Sequence, residues 1–441
     1  MIHKIYNILI LLAFAIQMTS ASAQEGTRDM TLTEARELAL QHNKNITKSK
    51  LTLEQTSYDA KAYKTNYFPR INVMAADLYS TAKGDVNLTS SLLPINLPLD
   101  YKIGNIFLGS VSLTQPLYMG GKITAAYRMA SRGAEMANEN IRLTESQIIV
   151  QTDEAYMQAV RARQLAGVAR SYKQLLDELM KNVESAVRHG MKTRNDQMKV
   201  QVKLNEAELA VQRADNATRL STMNLCHIIG LPLNTPLQID AEQFEEAQAS
   251  MVNSQSASIE ARPEVAILQA KTDIAAQQVK LTRSDFMPQL AVFADYTYVN
   301  GIKLLGHRLL DNGSDTFGAT LRVPLITFGE RTYKIRSAKA RQQIVQTEQQ
   351  DLTEQMQLEL AQATNNFEEA QTELTITQRS LQQAEENMRL ARQQYDAGME
   401  PLSQLLDAQA MWQQVSADHV NAKCQLQVAY TKLLKAQGSL K

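Results

Sequence analysis

The sequence predicts a mainly helical protein with a small β part, in which a helix, a strand pair and a long helical hairpin occur twice. Three observations predict this fold class. The 441 residues include only 10 prolines and 17 glycines, few breaks for this length. Long stretches are rich in Gln, Ala, Glu, Leu, Arg and Lys, which favour helices. Several landmark residues recur at a spacing of 208 residues.

The first 23 residues are typical of a secretory signal peptide. Lys4 supplies the positive charge, residues 8–16 form an apolar run, and Ala-Ser-Ala at 21–23 is a small-residue cleavage site. The apolar run is shorter than the roughly 20 residues that a membrane-spanning helix needs. No cysteine lies near the cleavage site, so we expect export across the inner membrane without lipidation of the N-terminus.

The composition excludes several function classes. Lys and Arg total 46, as do Asp and Glu, so the net charge gives no indication of a nucleic-acid partner. The two cysteines, Cys226 and Cys424, exclude a disulfide framework or a Cys-rich metal site, and we expect no required disulfide. The six histidines lie far apart. The sequence shows no nucleophile elbow and no phosphate-binding loop, so it predicts no enzyme, no metal and no cofactor.

The chain contains an internal repeat. Three pairs of residues are each 208 positions apart: Pro116 and Pro324, Gly121 and Gly329, Gly190 and Gly398. Further upstream, Pro69 and Pro288 are 219 positions apart, so the second copy is shorter by 11 residues between its two prolines. Insertions collect in exposed loops, and we expect one there. The predicted repeats are residues 24–240 and 241–441.

The first part of each repeat is predicted to be a helix, at about residues 31–66 and 262–286. The first helix opens with Thr31-Leu32-Thr33-Glu34, a capping-box pattern. The second opens with Arg262-Pro263-Glu264, with proline in the first turn and an acid beside it.

Between the prolines of each repeat the hydrophobic period changes to two, which is typical of strands. The predicted strands are about 69–80, 105–117, 288–299 and 315–325. About ten residues suit a tilted transmembrane strand, although a soluble sandwich strand has the same pattern. Four strands cannot close a barrel and lipid does not tolerate open edges, so several chains would share one barrel. The connecting loops, about 81–104 with Pro94 and Pro98 and about 299–314, are expected outside the cell.

Heptad patterns predict a long helical hairpin in each repeat, at about residues 122–229 and 330–437. The first arm of each hairpin, residues 122–188 and 330–396, has 67 residues, roughly 100 Å at the helical rise. Gly190 and Gly398 are predicted to end these arms as C′ glycines. Many seam positions are alanine, which lets helices approach closely.

This order of elements resembles that of the TolC-type outer membrane factors, the outer membrane efflux protein family. The resemblance covers about residues 31–437. It is carried by four kinds of motif: the strand starts at Tyr67-Phe68-Pro69 and Phe286-Met287-Pro288, the strand ends from Gln115-Pro116-Leu117 to Gly121 and from Val323-Pro324-Leu325 to Gly329, the opening Arg262-Pro263-Glu264, and the hairpin tip from Gly398 through Leu405-Leu406-Asp407-Ala408-Gln409.

The resemblance implies a homotrimer with a 12-stranded outer-membrane β-barrel that continues as a periplasmic α-helical barrel. Such a channel-tunnel exports small molecules, including drugs and toxic compounds, or proteins, as part of a tripartite efflux or type I secretion system. The implied partners are a periplasmic adaptor (membrane fusion) protein, an inner-membrane pump of RND, ABC or MFS type, and outer-membrane lipids.

The resemblance also implies the site residues. Asp196, Gln404 and Asp407 fall on positions that line the pore constriction at the periplasmic tip. Tyr395 matches a gate tether, whereas Glu400 stands where the family has a basic tether residue and cannot supply the cationic half of the usual salt bridge. The alternative is that Asp196 and Asp407 are first-turn acids that stabilise helix N-termini by about 0.3–1 kcal/mol.

The sequence leaves two other functions open. One is a structural coiled-coil envelope protein without a pore, which the strands and the duplicated prolines disfavour. The other is a secreted hydrolase, for which no motif is present. His419 and Trp412 are expected to be packed helix residues, and Lys173 is expected at the rim of its helical seam.

Overall fold

The computed structural model describes residues 28–79, 81, 83–89, 96–239, 259–304 and 307–440. The predicted signal peptide and Pro94 lie outside the described residues. The chain divides into two compact units. The helical unit comprises Met1–Thr47, Leu143–Arg262 and Met356–Lys441, and the sheet unit comprises Lys48–Arg142 and Pro263–Gln355. Each unit draws on both halves of the sequence, so a predicted repeat is not a spatial unit.

The chain is mainly helical with a small β part, as predicted. The helices are α1 (Leu32–His42), α2 (Lys44–Lys64), α3 (Lys122–Arg188), α4 (Arg194–Ile229), α5 (Pro263–Ser284), α6 (Glu330–Asp396) and α7 (Leu402–Ala436). The strands are β1 (Arg28–Met30), β2 (Arg70–Tyr79), β3 (Lys83–Thr89), β4 (Asn96–Tyr118), β5 (Leu237–Ile239), β6 (Gln289–Leu304) and β7 (His307–Arg322). Within the described residues, no helix combines the length and hydropathy that crossing a membrane requires.

The helix predicted at about 31–66 is two helices. Thr31 caps α1 by accepting the backbone N–H of Glu34 at 3.2 Å. The helix then breaks at Asn43, whose backbone is extended and whose side-chain oxygen accepts the N–H of Asn45 at 2.8 Å. The Asn43 amide also donates to the carbonyl of Ile228 at 2.9 Å. A side chain that competes for backbone partners ends one helix and begins the next.

In the helical unit, buried side chains join α1 to the long helices. β1 pairs with β5 in parallel. The hydroxyl of Tyr156 donates to the Met30 carbonyl at 2.9 Å. Asp153, which is fully buried, accepts from the guanidinium of Arg36 and from the hydroxyl of Thr431. Because a buried carboxylate needs such partners, this cluster fixes α1 against α3 and α7.

The sheet unit contains an antiparallel sheet in the order β2–β4–β6–β7, with β3 paired to the outer part of β4. The prediction of long loops at about 81–104 and 299–314 was wrong. β3 and the first part of β4 pair there, and β6 and β7 continue until Leu304 pairs with His307. Pro98 lies in β4 opposite Asn87, at a point before the β4–β6 ladder begins at Tyr101. A proline is tolerated where one edge of its strand has no ladder to support.

Candidate functional site

The two hairpins turn in the same way. Gly190 and Gly398 have left-handed backbones with φ of 72° and 73°. In each turn the methionine after the glycine donates its N–H back into the last helical turn, Met191 to Ala186 and Met399 to Gln394, both at 2.9 Å. This is a Schellman C-cap, which satisfies carbonyls that the helix end would leave free. Met191 and Met399 correspond in the repeat, and both side chains are largely exposed.

The return helices begin differently. Thr193 caps α4 in a capping box: its hydroxyl accepts the N–H of Asp196 at 3.2 Å, and the Asp196 carboxylate accepts the N–H of Thr193 at 3.2 Å. The hydroxyl of Thr193, which also donates to that carboxylate, is the main cause of the lowered pKa of Asp196. α7 begins after Pro401, which provides no side-chain cap.

The tips of the two hairpins pack against each other within one chain. A single apolar cluster draws buried residues from four helices: Tyr172, Leu176, Leu179 and Val183 of α3, Val200, Leu204 and Ala207 of α4, Ala391 of α6, and Leu402, Leu405, Leu406 and Ala408 of α7. Trp412 packs against this cluster, as expected for an anchor. Ion pairs lie around this apolar cluster. The guanidinium of Arg392 is 3.5 Å from the carboxylate of Glu178, and the ammonium of Lys173 is 3.0 Å from the carboxylate of Asp177.

Tyr395, the predicted tether, lies at the edge of this cluster. The ammonium of Lys192 lies 4.7 Å from the centre of its ring, a cation–π distance. Burial raises the pKa of the Tyr395 hydroxyl, and the charges of Asp196 and Asp396 add to this. Sequence reasoning missed Lys192, although the signal was available, because Lys192 is 208 positions before Glu400 and occupies the same place in the first hairpin.

The predicted constriction residues lie near the starts of the return helices. Gln404 and Asp407 are exposed on α7, and Asp196 is half-buried on α4. The pKa of Lys203 is raised, chiefly by its 2.8 Å hydrogen bond to Glu206 and in smaller part by the charge of Asp407. Asp196 lies in the first turn of α4, whereas the first turn of α7 contains no acid. Glu400 is half-buried and donates its N–H to the Gln394 carbonyl at 3.4 Å.

The other singled-out polar residues are packed. Burial lowers the pKa of His419, with Lys423 adding to the effect. Burial raises the pKa of the Cys424 thiol to about 11 and also raises that of Cys226; both cysteines are buried and free. Across the described part of the chain, no three His, Cys, Asp or Glu side chains are grouped to hold a metal.

The predicted strand starts and ends lie at the junctions between sheet and helix. Pro69 and Pro288 directly precede β2 and β6. Pro116 lies inside β4 opposite Ala291, whereas Pro324 lies two residues beyond the end of β7. Gly121 and Gly329 directly precede α3 and α6, with left-handed φ of 85° and 92°.

The two faces of the sheet differ in polarity. Paired residues share a face, so the ladders define rows across four strands. One row is Ile71, Leu113, Ala294 and Phe317, and the next row, on the opposite face, is Asn72, Ser112, Asp295 and Thr316. The apolar face also carries Val73, Val111 and Tyr296, and its charged members include Asp315. In these rows one side of the sheet is therefore mainly apolar and the other is polar, whereas further along the strands Asp77 and Asn300 lie on the first side and Leu108 and Val299 on the second.

Comparison with known proteins gives one consistent result. The sequence pattern of the outer membrane efflux protein family matches residues 35–231 and 255–439. The alkaline protease secretion protein AprF of Pseudomonas aeruginosa is 26% identical over 275 residues, 60% of this chain and only 56% of AprF. The protein CyaE of Bordetella pertussis is 22% identical over 424 residues, 93% of this chain and 85% of CyaE.

Solved structures show the same fold. The CmeC outer membrane channel of Campylobacter jejuni superposes with a TM-score of 0.76 at 16% identity, covering 93% of this chain and 86% of CmeC. The outer membrane protein VceC of Vibrio cholerae superposes with a TM-score of 0.73 at 18% identity, covering 92% of this chain and 96% of VceC.

Proposed function

We propose that this chain, which belongs to the outer membrane efflux protein family, forms a gated homotrimeric channel for export. Membership of the family makes it a transport protein of the outer membrane and not an enzyme. The proposal adds the trimer, the closed barrel, the gate residues and the partners.

The observation that carries the proposal is the sheet, which has an apolar face, a polar face and two edges. Among the described strands, β2 and β7 each end the ladder order. Such edges cannot face lipid, because their backbone groups would lack hydrogen-bond partners. If β7 of one copy pairs with β2 of the next, three copies give a closed barrel of 12 strands. The apolar face then meets lipid and the polar face lines the lumen.

Conductance in planar lipid bilayers tests this function. A trimeric channel gives discrete conductance steps, and chemical crosslinking of detergent-extracted protein gives a trimer band. A coiled-coil protein without a pore, the alternative from the sequence, gives no steps. A monomer that conducts nothing would overturn the proposal.

The gate is assigned to the tips of the hairpins. In a trimer, three copies of Asp407, with Gln404 and Asp196 near them, surround one axis. Such a ring of carboxylates favours cations over anions. The Lys192–Tyr395 contact and the Arg392–Glu178 pair hold the second hairpin against the first within each copy. We assign the role of gate tether to Tyr395 together with Lys192. Glu400 belongs to the turn that positions these two side chains.

The energy for export comes from partners. We propose a periplasmic adaptor that meets the exposed Met191 and Met399, because methionine makes adaptable apolar contacts. An inner-membrane pump of RND, ABC or MFS type then drives transport. The cargo is proteins or small molecules: AprF and PrtF of Dickeya chrysanthemi are named for protease secretion, and BepC of Brucella suis for efflux. Deleting each candidate pump gene in turn, and measuring secreted protein and drug resistance, separates the two cargo classes.

A further inference from the structure

The sheet unit contains a cavity of about 520 Å³ where the paired strands β2 and β4 meet the helices. It is lined by residues from the end of α2 to the start of β2, by residues from the end of β4 to the first turns of α3, and by one residue each of α5 and β6. Most of the lining residues are apolar, among them Tyr63, Phe68, Met119, Ile123 and Leu281. Cavities that hold small organic molecules have volumes of roughly 300–1,000 Å³ and a similar apolar lining.

Hydrogen bonds between neighbouring elements fix the walls of this cavity. The side-chain amide of Gln115 donates to the Tyr67 carbonyl at 3.0 Å, which joins β4 to the start of β2. The hydroxyls of Tyr67 and Thr124 are hydrogen-bonded at 2.9 Å, which joins the start of β2 to α3. The side-chain amide of Asn66 donates to the Tyr63 carbonyl at 3.1 Å. These contacts lie within one copy of the chain, so the cavity is preformed.

One cation of the lining has a neutral partner. The guanidinium of Arg70 is hydrogen-bonded to the side-chain oxygen of Asn66, and among the described residues no carboxylate forms an ion pair with it. The ammonium of Lys122, by contrast, lies 2.9 Å from a carboxylate oxygen of Asp285. A guanidinium presents a planar fork of N–H donors that matches a carboxylate. Arg70 is therefore the group that a bound anion would contact.

The cavity lies on the polar face of the sheet. Arg70 pairs with Thr114, and these two residues are two positions from the polar pair Asn72 and Ser112, so all four side chains share one face. Pro116, two positions further along β4, belongs to the same face. In the barrel proposed above this face lines the lumen, so the cavity is accessible to cargo and not to lipid.

The second repeat does not reproduce this lining. Its corresponding positions are polar or carry a different charge: Gln289 for Arg70, Thr327 for Met119, Glu330 for Lys122, Arg331 for Ile123 and Lys334 for Ala126. A lining that the fold itself required would be expected in both repeats. The combination of apolar walls with a cation at Arg70 is thus a property of the first repeat, as expected for a binding site.

We propose that this cavity binds a small amphipathic anion, with its apolar body against Phe68 and Ile123 and its carboxylate on the guanidinium of Arg70. The ligand is cargo in the lumen, and this role rests on the export function proposed above. Apolar walls supply affinity for many organic bodies, whereas the guanidinium selects those that carry a negative charge.

Binding of dansylglycine, a fluorescent aromatic carboxylate, tests the site. The chain has one tryptophan, so Trp412→Phe together with Phe68→Trp leaves a single tryptophan, at the cavity. Energy transfer from this tryptophan to dansylglycine then reports binding to the detergent-extracted protein. Saturable transfer is expected, and protein-free micelles correct for dissolved probe.

The role of the charge is tested in the same background. Arg70→Gln, which introduces the residue of the second repeat, should weaken dansylglycine binding about ten-fold, because a charge-assisted hydrogen bond is lost. Arg128→Gln, the same charge change at an exposed position of α3 outside the cavity lining, should leave binding unchanged. Dansylcadaverine, a cation with the same fluorophore, should not lose affinity in Arg70→Gln. Equal binding of dansylglycine to the native side chain and to Arg70→Gln would overturn the site.

A filled cavity separates this site from a surface cation. Ala126→Phe occupies part of the cavity without changing its charge, and Lys334 at the corresponding position shows that such a helix accepts a long side chain. Dansylglycine binding should weaken in this variant, provided that its assembly by size matches that of the native protein. Ile123→Ala, which enlarges the cavity instead, is the second variant should Ala126→Phe fail to assemble, and it should also weaken binding. Unchanged binding in an assembled variant contradicts a cavity site.

Conductance shows whether the site lies in the lumen. Dansylglycine should lower the single-channel current of the native protein but not that of Arg70→Gln. Binding without an effect on a conducting channel overturns the placement in the lumen. A conducting trimer that does not bind the probe overturns the site and leaves the export channel standing. A protein that binds the probe but does not conduct overturns the export function, and with it the role of the site in transport.

Discussion

The two hairpin tips share one turn but differ in how the return helix begins. Both arms end in a Schellman motif at glycines with nearly equal φ. The first return helix then begins with a reciprocal capping box, and the second begins at a proline without a side-chain cap. The two tips therefore have the same turn geometry, but only the first return helix is held by a side-chain cap. We infer that the first tip is the fixed arm of the gate and that the second tip, held to it by Lys192 and Arg392, is the arm that moves.

Among substitutions that probe the difference between the two tips, removal of the Tyr395 ring should have the largest effect. Tyr395→Ala deletes the contact with Lys192 and part of the apolar cluster, so the second tip should separate from the first and single-channel conductance should rise several-fold. Tyr395→Phe keeps the ring and the cation–π contact, worth about 0.5–1 kcal/mol at a partly exposed site, and should conduct like the native protein. Equal conductance in the Ala and native channels would contradict the tether.

The next effect concerns ion selectivity. Asp407→Asn removes three negative charges from the proposed ring, so the reversal potential in a salt gradient should shift towards equal cation and anion permeability. Block by divalent cations should weaken as well. Asp418→Asn, farther along α7, is the matched control. Unchanged selectivity with an intact trimer would contradict a role of Asp407 in the constriction.

A smaller effect is expected from the exposed methionines. Met191→Asp together with Met399→Asp places charges on the proposed adaptor surface, so export in cells should fall while conductance of the purified channel stays the same. Met198→Asp, an exposed methionine one turn into α4, serves as control. Normal export by the double variant would place the adaptor elsewhere.

The smallest effect is expected from a substitution in the first tip, the proposed fixed arm of the gate. Thr193→Ala removes the capping box and should destabilise the first tip by about 1 kcal/mol, measured by hydrogen exchange of the α4 amides. Because the pKa of Asp196 is lowered in the folded protein, its stabilisation is present above the ordinary value of 3.8 and is lost as the pH falls below it. Asp196→Asn should abolish this acid dependence. An equal response of α7 to Thr193→Ala would show that the tips are not independent.

The repeat spacing was enough to predict the ends of the long helices. Glycines 208 positions apart follow both arms, and Phe367, Ala370 and Ala391, which lie on one heptad seam of α6, are buried. The family resemblance, carried by the proline and glycine motifs, is confirmed. β3 and the first part of β4 were missed because Pro94 and Pro98 were expected to discourage strand pairing, whereas Pro98 lies where β4 is paired on one side.

The contacts between the two hairpins were not predictable in the same way. A heptad seam shows which face of a helix is buried, but it does not show which helix covers that face. The contact of Lys192 with Tyr395 and the ion pair of Arg392 with Glu178 each join residues more than 200 positions apart in different repeats. The break at Asn43 was missed because a single asparagine in a helical pattern carries little signal until its partner, the Ile228 carbonyl, is known.

The interleaving of the two units has a consequence for how the chain acquires its structure. β1 pairs with β5, and the buried Asp153 receives the hydroxyl of Thr431, 278 residues later. The helical unit therefore cannot be completed until α7 has left the ribosome and crossed the inner membrane. Contacts this distant in sequence form slowly and favour late, concerted folding. The chain is thus suited to secretion in an unfolded state, and a protein truncated before α7 should be degraded in the periplasm before it reaches the outer membrane.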